Sequence, residues 1–287
     1  MLSQEQVIKI IFQVKQLFKS FFGAEYDQLI EERISSVQDI VFYRANRKAI
    51  NRKSDLDKFL DYYKIERQKA EINQKKIPFY RDLIIHSGAG MCPYLENGEI
   101  KKIIYIPLNP LTSFSVDHLI VHELAHALFE VLKTKDNEQY FQGGLDSVQV
   151  NLSNPSQRNF ESLNEYIHDK LTNEMVLFLH NELNITLVSR ENTLVEEKIE
   201  PLERFYELFR DDIIKHFLLG TTEVLIEKIG LEELREFNNW YLLFNEEYPD
   251  KQERIKYQSL GLSDYLNLIY LGNIIVNKID NRLKNVW

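Results

Sequence analysis

Cysteine is nearly absent. Cys92 is the single one in 287 residues, so no disulfide can form within the chain, and a reducing compartment suits it. Cys92 has no second thiol to share a zinc ion with, and reads as a packed or half-exposed structural thiol. Long apolar runs are missing too. No stretch reaches the roughly eighteen residues that a membrane-spanning helix needs; the run from Tyr265 to Val276 is broken by Asn267, Gly272 and Asn273. A signal peptide is not expected, because Val7, Ile10, Ile11, Val14, Leu17, Phe18 and Phe21 are interleaved with Lys9, Gln13, Lys15, Gln16 and Lys19, which leaves no unbroken apolar core. The expected location is the cytoplasm, with export by a route lacking a signal peptide as the alternative. Excess positive charge is also lacking. A net charge of −9 and a pI near 5.4 argue against nucleic acid as a partner. Internal repeats and low-complexity tracts are absent as well. What remains, 44% hydrophobic and 28% charged, is the composition of a soluble globular protein with room for one large domain or two lobes.

The apolar residues of 3–22 recur at helical spacing and predict an amphipathic helix ending near Gly23, docked on the domain rather than lying on a membrane surface. From Tyr26 to about Lys75 the pattern again predicts helix, interrupted at Asn51 to Ser54, with Leu56 to Asn73 forming a solvated segment rich in charge. The character changes at Pro78. Leu83-Ile84-Ile85 suits a strand. Asn97-Gly98, in the middle of Tyr94 to Tyr105, is a hairpin signal, and Ile103-Ile104-Tyr105-Ile106 is a strand closed by Pro107 and Pro110. A helix capped by Ser115 or Asp117 should follow and run to about Leu132. Residues 134–158, with Gly143-Gly144 and Pro155, read as a loop or short excursion. Helices are expected at 159–181, 201–219, 221–229, 231–246 and 262–284, punctuated by Pro201, Gly220, Gly230 and Gly261.

The chemistry sits in Val121-His122-Glu123-Leu124-Ala125-His126-Ala127-Leu128-Phe129. Residues four apart share a helix face, so His122 and His126 can hold one metal ion, with Glu123 beside them to work on a water. A catalytic zinc site needs a third protein ligand. The best candidate lies in Phe160-Glu161-Ser162-Leu163-Asn164-Glu165-Tyr166-Ile167-His168-Asp169. There Glu165 and Asp169 are four apart: one carboxylate can bind a metal, and the other can accept a proton from the far nitrogen of a ligand histidine. His118, one turn before His122, and Glu161, one turn before Glu165, are rival ligands. His168, His86, His180 and His216 read as exposed or locally paired, and Glu174 as solvated.

Leu163-Asn164-Glu165-x-Ile167-x-Asp169 is similar to the second motif of thermolysin-like peptidases, and Val121 to Leu128 resembles their first. Both belong to the gluzincin group of zinc peptidases. The likeness covers about fifty residues. It implies His122, His126 and Glu165 as zinc ligands, Glu123 as general base and Asp169 as the partner of His122 behind the metal. It also implies a substrate-binding role for an edge strand before the helix, here Lys102 to Ile106. The gap between His126 and Glu165 is longer than thermolysin's, and its later histidine motif has no counterpart, so the likeness is to a distinct gluzincin family. No oxyanion-stabilising residue is assigned.

The expected fold is therefore α+β and predominantly helical: a zincin-like two-lobed fold with a small sheet before the HExxH helix. Residues 1–135 would carry the N-terminal helices, sheet and active-site helix, and 136–287 a helical lobe with the third ligand. The expected function is a zinc (Zn2+) metallopeptidase acting on peptide or protein substrates. The alternatives are a zinc-binding gluzincin-like protein with a non-proteolytic or regulatory role, and a helical interaction protein without metal.

Overall fold

The structure, a computed structural model, describes residues 2–43, 89–97, 99–108, 115–135, 138–149, 160–189, 198–249, 254, 257–258 and 260–286. The chain is α+β and predominantly helical, with two small sheets. Its residues group into two compact units, 1–128 with 170–194 and 129–169 with 195–287.

In the first unit, α1 (Gln4–Phe22) opens with a reciprocal cap. Ser3 Oγ accepts from Gln6 N, and Gln6 Oε1 accepts from Ser3 N. Ile10, Val14, Leu17, Phe18 and Phe22 are buried, each such side chain contributing about 1.5–3 kcal/mol in transfer from water. Phe21 meets Phe178 edge-on at 5.7 Å. The apolar face is thus docked on protein. After α2 (Asp27–Ser35) the helical expectation fails: Val37–Tyr43 is a strand, β1. Its Val, Ile, Phe and Tyr suit a pleated surface, and pairing with a distant strand outweighs local helical spacing. The expected segments at 51–54, 56–73 and 83–85 lie outside the described residues.

β2 (Gly90–Glu96) and β3 (Glu99–Pro107) form the expected hairpin. Glu96 pairs with Glu99 across a two-residue turn in which Asn97 takes φ +54. The sheet order is β1-β3-β2, with β1 parallel to β3 and β2 antiparallel to it. β3 is therefore central. The expected edge strand at Lys102 to Ile106 is corrected, because its backbone is paired on both sides. Lys102 to Pro107 is buried without interruption, the pattern of a strand covered on both faces. The next helix, α3 (Val116–Phe129), stops short of Leu132 because the chain passes directly into a strand.

The second unit begins with that strand, β4 (Glu130–Lys135), then β5 (Glu138–Gly143) and β6 (Asp146–Gln149), an antiparallel sheet in that order. A loop was the expectation here. Gly143-Gly144 is instead the hairpin signal: Gly144 takes φ +65 at the first position of a two-residue turn, with Gly143 opposite Asp146. Residues 150–159 lie outside the described set. α4 (Glu161–Asn181) contributes 161–169 to this unit and 170–181 to the first. α5 (Glu200–Leu219), α6 (Thr222–Ile229), α7 (Leu231–Glu247) and α8 (Ser263–Val286) complete it, within two residues of the expected spans. Gly220, left-handed at φ +65, ends α5. Aromatic rings fill the core: Phe205 on Phe237 at 4.7 Å, Phe237 on Trp240 at 5.2 Å, Phe244 near Tyr265 at 5.6 Å. Among the described residues no helix is long and apolar enough to cross a membrane.

Candidate metal centre

α3 is apolar nearly all round. From Ser115 to Phe129 every residue is buried except His126, which is half-buried. Such a helix belongs inside protein, and polar residues on it require a reason. Three are histidines in one stripe. The rings of His118 and His122 stack at 6.0 Å and 23°, and those of His122 and His126 meet at 4.6 Å and 68°. His122 Nε2 and His126 Nε2 stand 2.9 Å apart. Two imidazole lone pairs at that distance repel unless a proton or a cation lies between them. A tetrahedral zinc ion at about 2.0–2.1 Å from each nitrogen would need them about 3.3 Å apart, a few tenths of an ångström more. Glu123, one step round the helix, is 6% exposed.

Both ends of α3 are held within the first unit. Ser115 Oγ accepts the His118 N–H at 3.1 Å, which makes Ser115 the cap. Asp117 has a different task. Fully buried, it accepts backbone N–H groups of Leu187, Val188 and Ser189 at 2.6–2.9 Å, and its Oδ2 lies 3.1 Å from His180 Nε2. At the other end Lys102 Nζ donates to the Ala127 carbonyl and Arg33 Nη1 to that of Leu128 at 2.8 Å. Two basic side chains thus meet carbonyls left open at the helix C-terminus, where the backbone dipoles favour N–H donors and positive charge. Burial lowers the Arg33 guanidinium to about 10, still a full cation at neutral pH. Lys102, which holds that end of the helix, is the residue that sequence reading passed over. Its signal was parity: Lys102, Ile104 and Ile106 share one face of a strand.

α4 supplies the carboxylates. Phe160, in a left-handed conformation at φ +62, precedes it. Asn164 Oδ1 accepts Leu145 N–H at 2.8 Å, and Tyr166 Oη donates to Glu203 at 2.7 Å. Glu161 and Glu165 are exposed, and Asp169 is half-buried. His168, expected to be exposed or locally paired, is 1% exposed and packed against the rings of Phe129 and Phe217 at 5.4 and 5.8 Å. The exposed alternative is thus corrected, with a plain cause: position 168 follows the buried Ile167 on the apolar side of the helix. His180 and His216 are locally paired, with Asp117 and with Thr221 Oγ1 at 2.9 Å. Burial pulls His216 below its ordinary value. His86 and the Cys92 side chain lie outside the described residues.

Among the described residues the side chains that could hold a metal ion are His118, His122 and His126 on α3 and Glu165 and Asp169 on α4. Two imidazoles and a carboxylate, the donor set of His122, His126 and Glu165, fit zinc. Glu161 is not among them. No protein-family model, no curated protein and no solved structure matches the chain.

Proposed function

We propose that the protein is a zinc-dependent metallopeptidase of gluzincin type, with the zincin-like two-lobed arrangement of that group. The observation that carries this reading is the approach of His122 Nε2 to His126 Nε2, 2.9 Å apart on one buried helix, with Glu165 a carboxylate of metal-binding type on α4. His122, His126 and Glu165 would hold the ion. A bound zinc supplies Lewis acidity, polarising a peptide carbonyl and making a nearby water more acidic. Glu123 takes the proton of that water as it attacks and returns one to the leaving nitrogen. Asp169, one helical turn beyond Glu165, would fix the ring orientation and tautomer of His122.

A second reading keeps zinc without proteolysis. One observation favours it: β3, the strand that the gluzincin likeness assigns to substrate, has both backbone edges occupied. The experiment is zinc stoichiometry in wild type beside Glu165→Ala, followed by digestion of a broad peptide library. One zinc per chain, lost in Glu165→Ala, together with cleaved peptides supports the peptidase. Zinc without cleavage supports the second reading. Absence of stoichiometric zinc in wild type sinks both and leaves a helical interaction protein.

A further inference from the structure

Asn164 stands beside the candidate ligand Glu165 and takes no part in the chemistry above. It is 3% exposed, and its Oδ1 accepts Leu145 N–H, the second residue of the β5–β6 turn, at 2.8 Å. The turn is pressed against it. A Cβ on Gly144 would stand 2.3 Å from Asn164 Oδ1 and 2.6 Å from the Phe217 ring, so only glycine fits there, and φ +65 at that residue favours glycine for the same position. Asparagine is a poor choice for a helix on propensity alone. Here it satisfies a buried N–H that would otherwise go without an acceptor.

The geometry of a helix turns that bond into a constraint on its neighbour. Successive residues are set about 100° apart, so fixing the direction of Asn164 fixes that of Glu165. Side-chain ends lie about 5–6 Å from the helix axis, and a 10° rotation there moves a carboxylate by roughly 1 Å. Metal sites tolerate about half that. The chain enters α4 through the left-handed Phe160, whose carbonyl accepts the Asn164 N–H at 2.8 Å. The two-residue hairpin turn, held in a paired sheet, adds an anchor from outside the helix.

We propose that Asn164 is a positioning residue for the metal centre: its hydrogen bond to Leu145 in the β5–β6 turn fixes the rotation of the first turn of α4 and so the aim of Glu165. This rests on the zinc reading. The test uses the full chain and two readouts, zinc affinity by chelator competition and thermal stability of the metal-free protein, with the cobalt(II) absorption band reporting ligand geometry. Asn164→Ala should weaken zinc roughly 10–100-fold and alter the cobalt band. Asn164→Asp keeps an acceptor oxygen and should recover most of the affinity. Gly144→Ala, which crowds the same bond from the turn, should weaken zinc as Asn164→Ala does, and it decides the matter if Asn164→Ala does not fold. Wild-type zinc affinity in a folded Asn164→Ala or Gly144→Ala variant, with only the melting temperature lowered, overturns the proposal. A wild type that binds no zinc overturns the metal reading and this one with it; zinc binding indifferent to residue 164 overturns this one alone.

Discussion

Glu123 and Glu165 are both carboxylates, yet the structure treats them in opposite ways. Glu123 is buried on a helix that water scarcely touches, whereas Glu165 is exposed. Replacing the first should therefore separate chemistry from binding. On the zinc-peptidase proposal, Glu123→Gln is expected to retain zinc, since the amide keeps the shape, and to lower kcat by at least about a hundredfold, the proposed proton acceptor being lost. Unchanged turnover on a cleaved peptide would remove Glu123 from the mechanism. His216 makes a separate prediction, about stability. Its folded pKa lies below the ordinary 6.5, so on acidification the unfolded chain takes up a proton before the folded one does. Its contribution is complete above pH 6.5 and is lost as pH falls through the depressed folded value. Urea titrations should show that the wild type loses more stability than His216→Asn between pH 7 and pH 5; parallel losses would contradict it.

At the scale of elements, α3 is a buried rod gripped at both ends. Removing the Ser115 hydroxyl should cost about 1 kcal/mol, the usual worth of an N-cap. Lys102→Met keeps the stem but abandons the Ala127 carbonyl, and should cost about 1–3 kcal/mol for a buried acceptor left unmet. Equilibrium denaturation of each variant checks both values, and a Lys102→Met protein as stable as wild type would show that the bond to Ala127 is dispensable. The same scale shows what could be read in advance. The helices at 4–22 and from 161 onward announced themselves by spacing, and Asn97-Gly98 by turn chemistry. Val37–Tyr43 did not, because its partner β3 lies some sixty residues on, and only that pairing makes it a strand. β4 to β6 were hidden by polar residues, since Lys133, Gln139 and Gln142 sit in short strands that need only one apolar face. For the site, the stripe His118-His122-His126 followed from position alone. Lys102, Arg33 and the Asn164–Leu145 bond did not, because each joins residues distant in the chain.

For the molecule as a whole, a metal bound only by the folded state is a stabilising ligand. Zinc at about a hundred times its Kd would add about 2.7 kcal/mol. On a chain of 287 residues that corresponds to roughly 4–5 °C in melting temperature. Calorimetry with and without a strong chelator reads it directly. A melting curve indifferent to the chelator, in protein shown to carry zinc, would mean that the ion is not coupled to folding. The His122→Ala variant should then melt like the chelated wild type, having nothing left to lose.

The parallel pairing of β1 with β3 has a temporal consequence. Val37 finds Lys102, and Tyr43 finds Pro107, so the sheet cannot close until the later strand has been made. At about 5–20 residues per second of synthesis that is a wait of roughly 3–13 s. Throughout it, a strand whose Val37, Ile40, Val41 and Phe42 end up buried is exposed on a nascent chain. Closure of this sheet is thus timed by synthesis, and until β3 arrives the unpaired edges of β1 need keeping apart from other strands.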